Sequence, residues 1–130
     1  GHLETLDMLL HAEGSVEERL LTFASSDAVM LELQGLPLAL SYEVYAWALR
    51  HDESRTFIKG YFDEAHKLLT EFIRQGMERE ELRAGDPKDS ALQLIALNEG
   101  LQELHALYGE EICWDEFMAQ ALQTAIKALK

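Results

Sequence analysis

Cysteine occurs once in 130 residues, at Cys113, and proline only twice. A single thiol excludes an internal disulfide, and with five scattered histidines it makes no metal-ligand cluster, so a reducing compartment and no metal or other cofactor are expected. Basic side chains are also scarce. The 11 Lys and Arg face 24 Asp and Glu, a formal charge of -13, which repels a polyphosphate instead of releasing counterions from it. This segment alone should therefore not bind DNA. No apolar run approaches the ~20 residues that span a bilayer, and no basic region followed by an apolar one opens the chain. The expectation is a cytoplasmic protein with no membrane contact.

Strand signals are few as well, whereas the helix formers Leu, Ala and Glu abound. The reading is all-α: a single helical-bundle domain of five to six helices. At this length it buries about two thirds of its unfolded surface and needs no staples. Gly1 and His2 are either native or a remnant of a cleaved affinity tag; in the second case the natural protein continues upstream.

Along the chain, Leu3, Leu6, Leu9 and Leu10 recur at helical spacing up to Gly14, too short a run to be stable alone. Residues 1–14 thus read as the tail of a connecting helix and 15–130 as the domain proper. "SVEE" is a capping box, Ser15 with Glu18, and the apolar pattern continues through Val29 to Leu33. Gly35 and Pro37 then break and restart the helix. The helix over 37–50 is apolar on two sides (Leu38, Tyr42, Tyr45, Leu49; Leu40, Val44, Trp47, Ala48), which predicts a position in the middle of the bundle.

A long amphipathic helix follows, with Asp52 or Ser54 as its expected cap and a stripe from Phe57 through Ile73. "RAGDPKD" should end and restart the chain sharply, Gly85 taking a positive φ and Asp86 capping a helix that has Pro87 in its first position. Leu94, Leu97, Leu101, Leu104 and Tyr108 then form a coiled-coil-like seam beside a strip of Ala91, Ile95, Asn98 and His105. After Gly109, a last helix aligns Trp114, Phe117, Met118, Ala121, Leu122, Ala125 and Leu129, making a terminal hairpin.

Catalytic chemistry is sparse. Asp63-x-x-His66 is only a fragment of a di-iron motif, and no phosphate loop or nucleophile elbow occurs. Cys113, among apolar neighbours, reads as a small buried side chain, and the acidic residues read as solvated helix faces. An enzyme is not expected. What stands out is polar and aromatic chemistry on buried faces: Tyr42, Tyr45, His66, Asn98 and His105. Such groups either satisfy one another or line an apolar pocket with orienting groups.

The stretch "FIRQGMEREELRAGDPKDSALQLIALNEGL" resembles the C-terminal effector-binding and dimerisation domain of TetR-family transcriptional regulators. The likeness rests on Gly76, the turn Glu80-Glu81-Leu82-Arg83, Asp86-Pro87, Ala91 and "ALNEGL", and it extends over nearly the whole chain from Ser15. Two departures are Glu80, where a turn glycine is usual, and Glu99, where Asp is common; neither position carries chemistry in the family.

The resemblance implies a small-molecule effector, a homodimer built by the last two helices, and DNA contact only through an N-terminal helix-turn-helix that these residues do not include. The expected ligand is small and largely apolar, held among the helix over 37–50 and the two after it by Met30, Tyr42, Tyr45, Phe62, His66 and Asn98. The expected dimer face is Leu97, Gly100, Leu101, Leu104, Phe117, Ala121, Leu122 and Ala125, and wide apolar faces on two consecutive helices point independently to an interface. The alternative is a helical protein-protein adaptor with no small-molecule ligand.

Overall fold

A computed structural model describes residues 2–24 and 38–130. Among these residues there are six α-helices and no strand: α1 (His2–Leu10), α2 (Val16–Ala24), α3 (Leu38–Ala48), α4 (Asp52–Glu78), α5 (Pro87–Tyr108) and α6 (Trp114–Leu129). A 3-10 turn, Gly109–Glu111, joins α5 to α6. The fold is all-α, as expected. The continuation of α2 toward 33, the break at 34–37 and Met30 lie outside the described residues.

Local chemistry sets most helix ends. Glu18 N–H donates to Ser15 Oγ at 3.0 Å and Ser15 N–H to Glu18 Oε2 at 3.4 Å, the reciprocal bonds of a capping box. The Asp86 carboxylate accepts from the amides of Lys88 (3.0 Å) and Asp89 (3.4 Å), with Pro87 where its missing N–H costs nothing. The start of α4 departs from expectation. Its cap position is His51, with no side-chain cap bond; that imidazole instead meets the carbonyl of Trp47 at 2.8 Å and stacks on its ring. Asp52 and Glu53 therefore act in the first turn, where their charge suits the helix dipole.

The central helix is α4, which packs against α1, α2, α3 and α5. This corrects the expectation that α3 lies in the middle. Leu40 and Trp47 of α3, and Leu49 just after it, are 42%, 48% and 72% exposed, because α4 covers only one side of a segment that is apolar on two. Phe72 and Ile73 of α4 are fully buried beside Val16, Leu20, Leu82, Ala91, Leu94 and Ile126. Burial of each such large side chain contributes about 1.5–3 kcal/mol. A second cluster, Leu101 with Trp114 and Met118, holds the α5/α6 hairpin together.

The turn after α4 ties three helices to one corner. Glu80 N–H reaches the carbonyl of Met77 (3.1 Å) and Glu81 N–H that of Gly76 (2.8 Å), a Schellman motif in which Glu80 takes φ 59. The positive φ is thus at Glu80 and not at Gly85, since the helix ends well before the glycine. Leu82 folds over Gly76 so closely that a Cβ there would stand 2.7 Å from its Cδ1. Glu81 accepts from the first amide of α2, Val16 N–H, at 3.2 Å. Arg83 donates its N–H to the carbonyl of Leu129 (2.7 Å) and a guanidinium N–H to that of Ala128 (3.3 Å), capping α6.

A second knot holds α1. Arg19, 3% exposed, donates to the carbonyls of Leu9 (3.3 Å), Leu10 (2.8 Å) and Ser15 (3.2 Å) and to the Gln75 side chain, with its guanidinium over the Phe72 ring. The last carbonyls of α1 are thereby fixed to α2 and, through Gln75, which also reaches the Leu10 carbonyl, to α4.

Candidate functional site

Where α3, α4 and α5 meet, aromatic rings gather around a carboxylate. Tyr42 and Tyr45 stand one turn apart on α3, and their rings meet edge-on at 6.3 Å. Tyr45 lies 6.0 Å from Phe62 of α4, and Tyr61 meets Phe62 edge-on at 5.9 Å. From α5, Glu99 faces this group; its charge is felt by Tyr42, Tyr45 and Tyr61 alike. Glu99 Oε1 and Tyr42 Oη are buried and have no hydrogen-bond partner among the described residues.

Burial penalises charge here. It pushes the Glu99 carboxyl up to about 7, so that near neutral pH this acid is poised between its two forms. Burial first, and the Glu99 charge second, push Tyr45 up to about 12 and raise Tyr42 and Tyr61. The tyrosines remain neutral donors and ring surfaces. The arrangement offers aromatic rings and two unsatisfied oxygens, which suits a ligand with an apolar body and a polar head.

Of the residues expected to bind a ligand, Tyr42, Tyr45 and Phe62 come together in this cluster. Asn98 is half-buried on α5, next in sequence to Glu99. His66 is engaged elsewhere: its Nε2–H donates to the Lys88 carbonyl at 2.7 Å, bridging α4 to the first turn of α5. Met30 lies outside the described residues. Sequence reasoning passed over Glu99 and Tyr61, treating the acidic residues as solvated. The signal was present, because Glu99 falls four residues after Ile95 and three before Gln102, both buried on α5.

The residues expected at a dimer face divide between the interior and the surface. Leu101 is 8% exposed and packs with Trp114 and Met118; Leu97 and Ala121 support that cluster, while Leu122 and Ala125 pack on the main core. Gly100 is exposed, and Leu104 and Phe117 are 41% and 39% exposed, beside Leu107 at 74% and Tyr108 at 49%. Leu101 is held inward because the Trp114 indole, its N–H bonded to the Gly109 carbonyl and its ring stacked on His105, closes over the end of α5.

Two other features have no place in the site. Cys113 is exposed at the cap of α6, contrary to the buried position expected of it, since the helix starts only at Trp114 and turns the preceding residue outward. A shallow depression of about 180 Å³ between α1 and α4 is lined by Leu10, His11, Glu71, Arg74, Gln75 and Glu78. That is below the ~300 Å³ at which ligand pockets begin. Among the described residues no helix is long and apolar enough to cross a membrane.

An all-α domain whose last two helices carry a wide apolar surface beside an internal aromatic cluster has the form of an effector-binding and dimerisation domain. Over residues 29–129 the chain matches the family model described as BetI-type transcriptional repressor, C-terminal, and it belongs to that family of TetR-type domains. No curated protein and no solved structure matches it significantly. Domains of this family serve regulators and are not enzymes.

Proposed function

We propose that this chain senses a small, largely apolar molecule at the junction of α3, α4 and α5 and thereby changes DNA binding by an N-terminal helix-turn-helix, as a homodimer in the cytoplasm. The observation that carries the reading is the ring cluster around Glu99 in a domain of this family, where apolar faces and unsatisfied oxygens converge. Tyr42, Tyr45, Phe62 and Asn98 line the ligand; His66 acts on it indirectly by holding α5 to α4.

Transmission runs through α1. Arg19 and Gln75 fasten its last carbonyls to α4, the same helix that carries Tyr61 and Phe62, so a ligand that shifts α4 moves α1 with it. A coupling of ~1–3 kcal/mol suffices for a 5- to 150-fold change in affinity for DNA. The second copy docks on the α5/α6 surface at Gly100, Leu104 and Phe117; Leu97, Leu101, Ala121, Leu122 and Ala125 back that surface from within. A Cβ at Gly100 would meet nothing within its own chain, which leaves room there for a partner helix.

Thermal denaturation in the presence of small apolar compounds tests the sensing role. A ligand at 100 times its Kd stabilises the fold by about 2.7 kcal/mol, and Tyr45→Ala is expected to abolish the shift while the unliganded fold survives. If no compound stabilises the chain while an unrelated protein binds the α5/α6 surface, the adaptor reading replaces this one.

A further inference from the structure

The buried Arg19 that holds α1 has no carboxylate among its hydrogen-bond partners. Its guanidinium, on a residue 3% exposed, donates to the carbonyls of Leu9, Leu10 and Ser15 and to the Gln75 side chain, and lies 5.6 Å from the centre of the Phe72 ring. A buried cation ordinarily sits against an acid, since otherwise only dipoles offset its desolvation. An acid stands nearby. Glu81 Oε1 accepts from Val16 N–H at 3.2 Å while Arg19 Nε–H donates to the Ser15 carbonyl at 3.2 Å, so the two side chains grip opposite ends of one peptide group. The other oxygen of Glu81, Oε2, is buried and has no hydrogen-bond partner among the described residues. Burial first, and the Arg79 charge second, hold the guanidinium below its ordinary range, and the Glu81 charge acts the other way.

We propose that Arg19 is a two-position latch for α1: its guanidinium lies on the Leu9 and Leu10 carbonyls while α1 is docked, and turns to Glu81 Oε2 when α1 lifts away. The two positions are nearly balanced. In the second, Arg19 gains a charge-assisted bond and Oε2 gains its missing donor. Little is stranded behind it, because the Ser15 carbonyl keeps the backbone N–H of Arg19 at 3.0 Å and the freed α1 carbonyls pass to water. Without Glu81, lifting α1 would leave a buried cation with fewer acceptors and no acid, which is costly. Glu81 thus eases the release of α1 and gives the joint two discrete arrangements in place of a continuous bend. The inference rests on the transmission through α1 proposed above and adds the residue pair that regulates it.

Native-state hydrogen exchange on the 130-residue chain tests this without effector or DNA. With 9 residues, α1 is too short to protect its amides unless it is docked. The amides of Met8, Leu9 and Leu10 therefore report its release, whereas those of Phe72 and Ile73, in the core, report opening of the domain. Glu81→Gln keeps an Oε1 acceptor for Val16 N–H and removes the charge of the second position. It is expected to slow exchange of the α1 amides about 10-fold, through loss of one charge-assisted bond from the released form, with the core amides unchanged or faster. Gln75→Ala, which takes a partner from the docked position, should speed α1 exchange about 10-fold.

The sign of the E81Q effect separates a latch from a structural contact. If Glu81 only supports the docked form, its loss speeds α1 exchange; that result, unchanged exchange, or failure of E81Q to fold overturns the latch, as does α1 exchange left unchanged by Q75A. Each of these outcomes leaves the sensing role standing, since that role falls only if no compound shifts the thermal melt.

Discussion

Glu99 is a carboxyl held largely away from water, close enough for three tyrosines to feel its charge, and its protonation links pH to the stability of the whole domain. Its folded value of about 7 lies above the 4.5 of the free side chain, so between those values the folded chain holds a proton that the unfolded chain has released. Stability from this group is complete below about pH 4.5 and is lost as pH rises through 7. The group is partly solvated, so the loss is ~1–2 kcal/mol and not the full value of the shift. Urea unfolding between pH 5 and pH 8 is expected to show a decline that Glu99→Gln removes, leaving the variant the more stable protein at pH 8. A steeper decline in the variant would contradict the assignment.

Sequence alone made this residue hard to see. Tyr42, Tyr45 and Phe62 announce themselves as aromatics on apolar faces, whereas one acid among 24 looks solvated unless its place between Ile95 and Gln102 is noticed.

At the scale of elements, the turn from Glu80 to Arg83 shows how four consecutive residues can organise three helices. Glu80 turns the chain, Glu81 satisfies the first amide of α2, Leu82 seals Gly76, and Arg83 caps α6. Only Glu80 is ill suited to its backbone, since a Cβ at φ 59 is disfavoured by about 1–2 kcal/mol, and a glycine's greater freedom in the unfolded chain offsets part of the relief. Glu80→Gly is therefore expected to stabilise the domain by ~0.5–1 kcal/mol in chemical denaturation, whereas Gly85→Ala, at a position without positive φ, should change it little.

The sharp corner was legible in "EELRAGDPKD", as were the Asp86 cap and the place of Pro87, because capping depends on residues adjacent in sequence. The turning residue itself was not, because it depends on where α4 stops, and that is decided by Leu82 packing on Gly76.

At the scale of the molecule, the α5/α6 surface carries Leu104, Leu107, Tyr108 and Phe117, all more than a third exposed. An apolar surface of this kind on two adjacent helices calls for a cover, and a twofold pairing supplies one. Leu104→Glu, at an exposed position, should leave the helical content intact and shift the chain to monomer in sedimentation velocity, with a loss of dimer affinity of at least about 30-fold, or ~2 kcal/mol. A variant that stays dimeric would place the interface elsewhere. Leu101→Glu would be uninformative by comparison, because it breaks the core of the hairpin first.

By itself the sequence determined the helical class, the order of the helices, the capping box at Ser15, the corner at Asp86 and the family likeness, since periodicity and capping are local and are written in neighbouring residues. Only the tertiary structure decided which helix is central, which face of α5 is inside and which outside, that His66 serves Lys88, and that Glu99 sits among tyrosines from two other helices. Those outcomes depend on which of several equally apolar faces finds a partner, and that competition is settled in three dimensions.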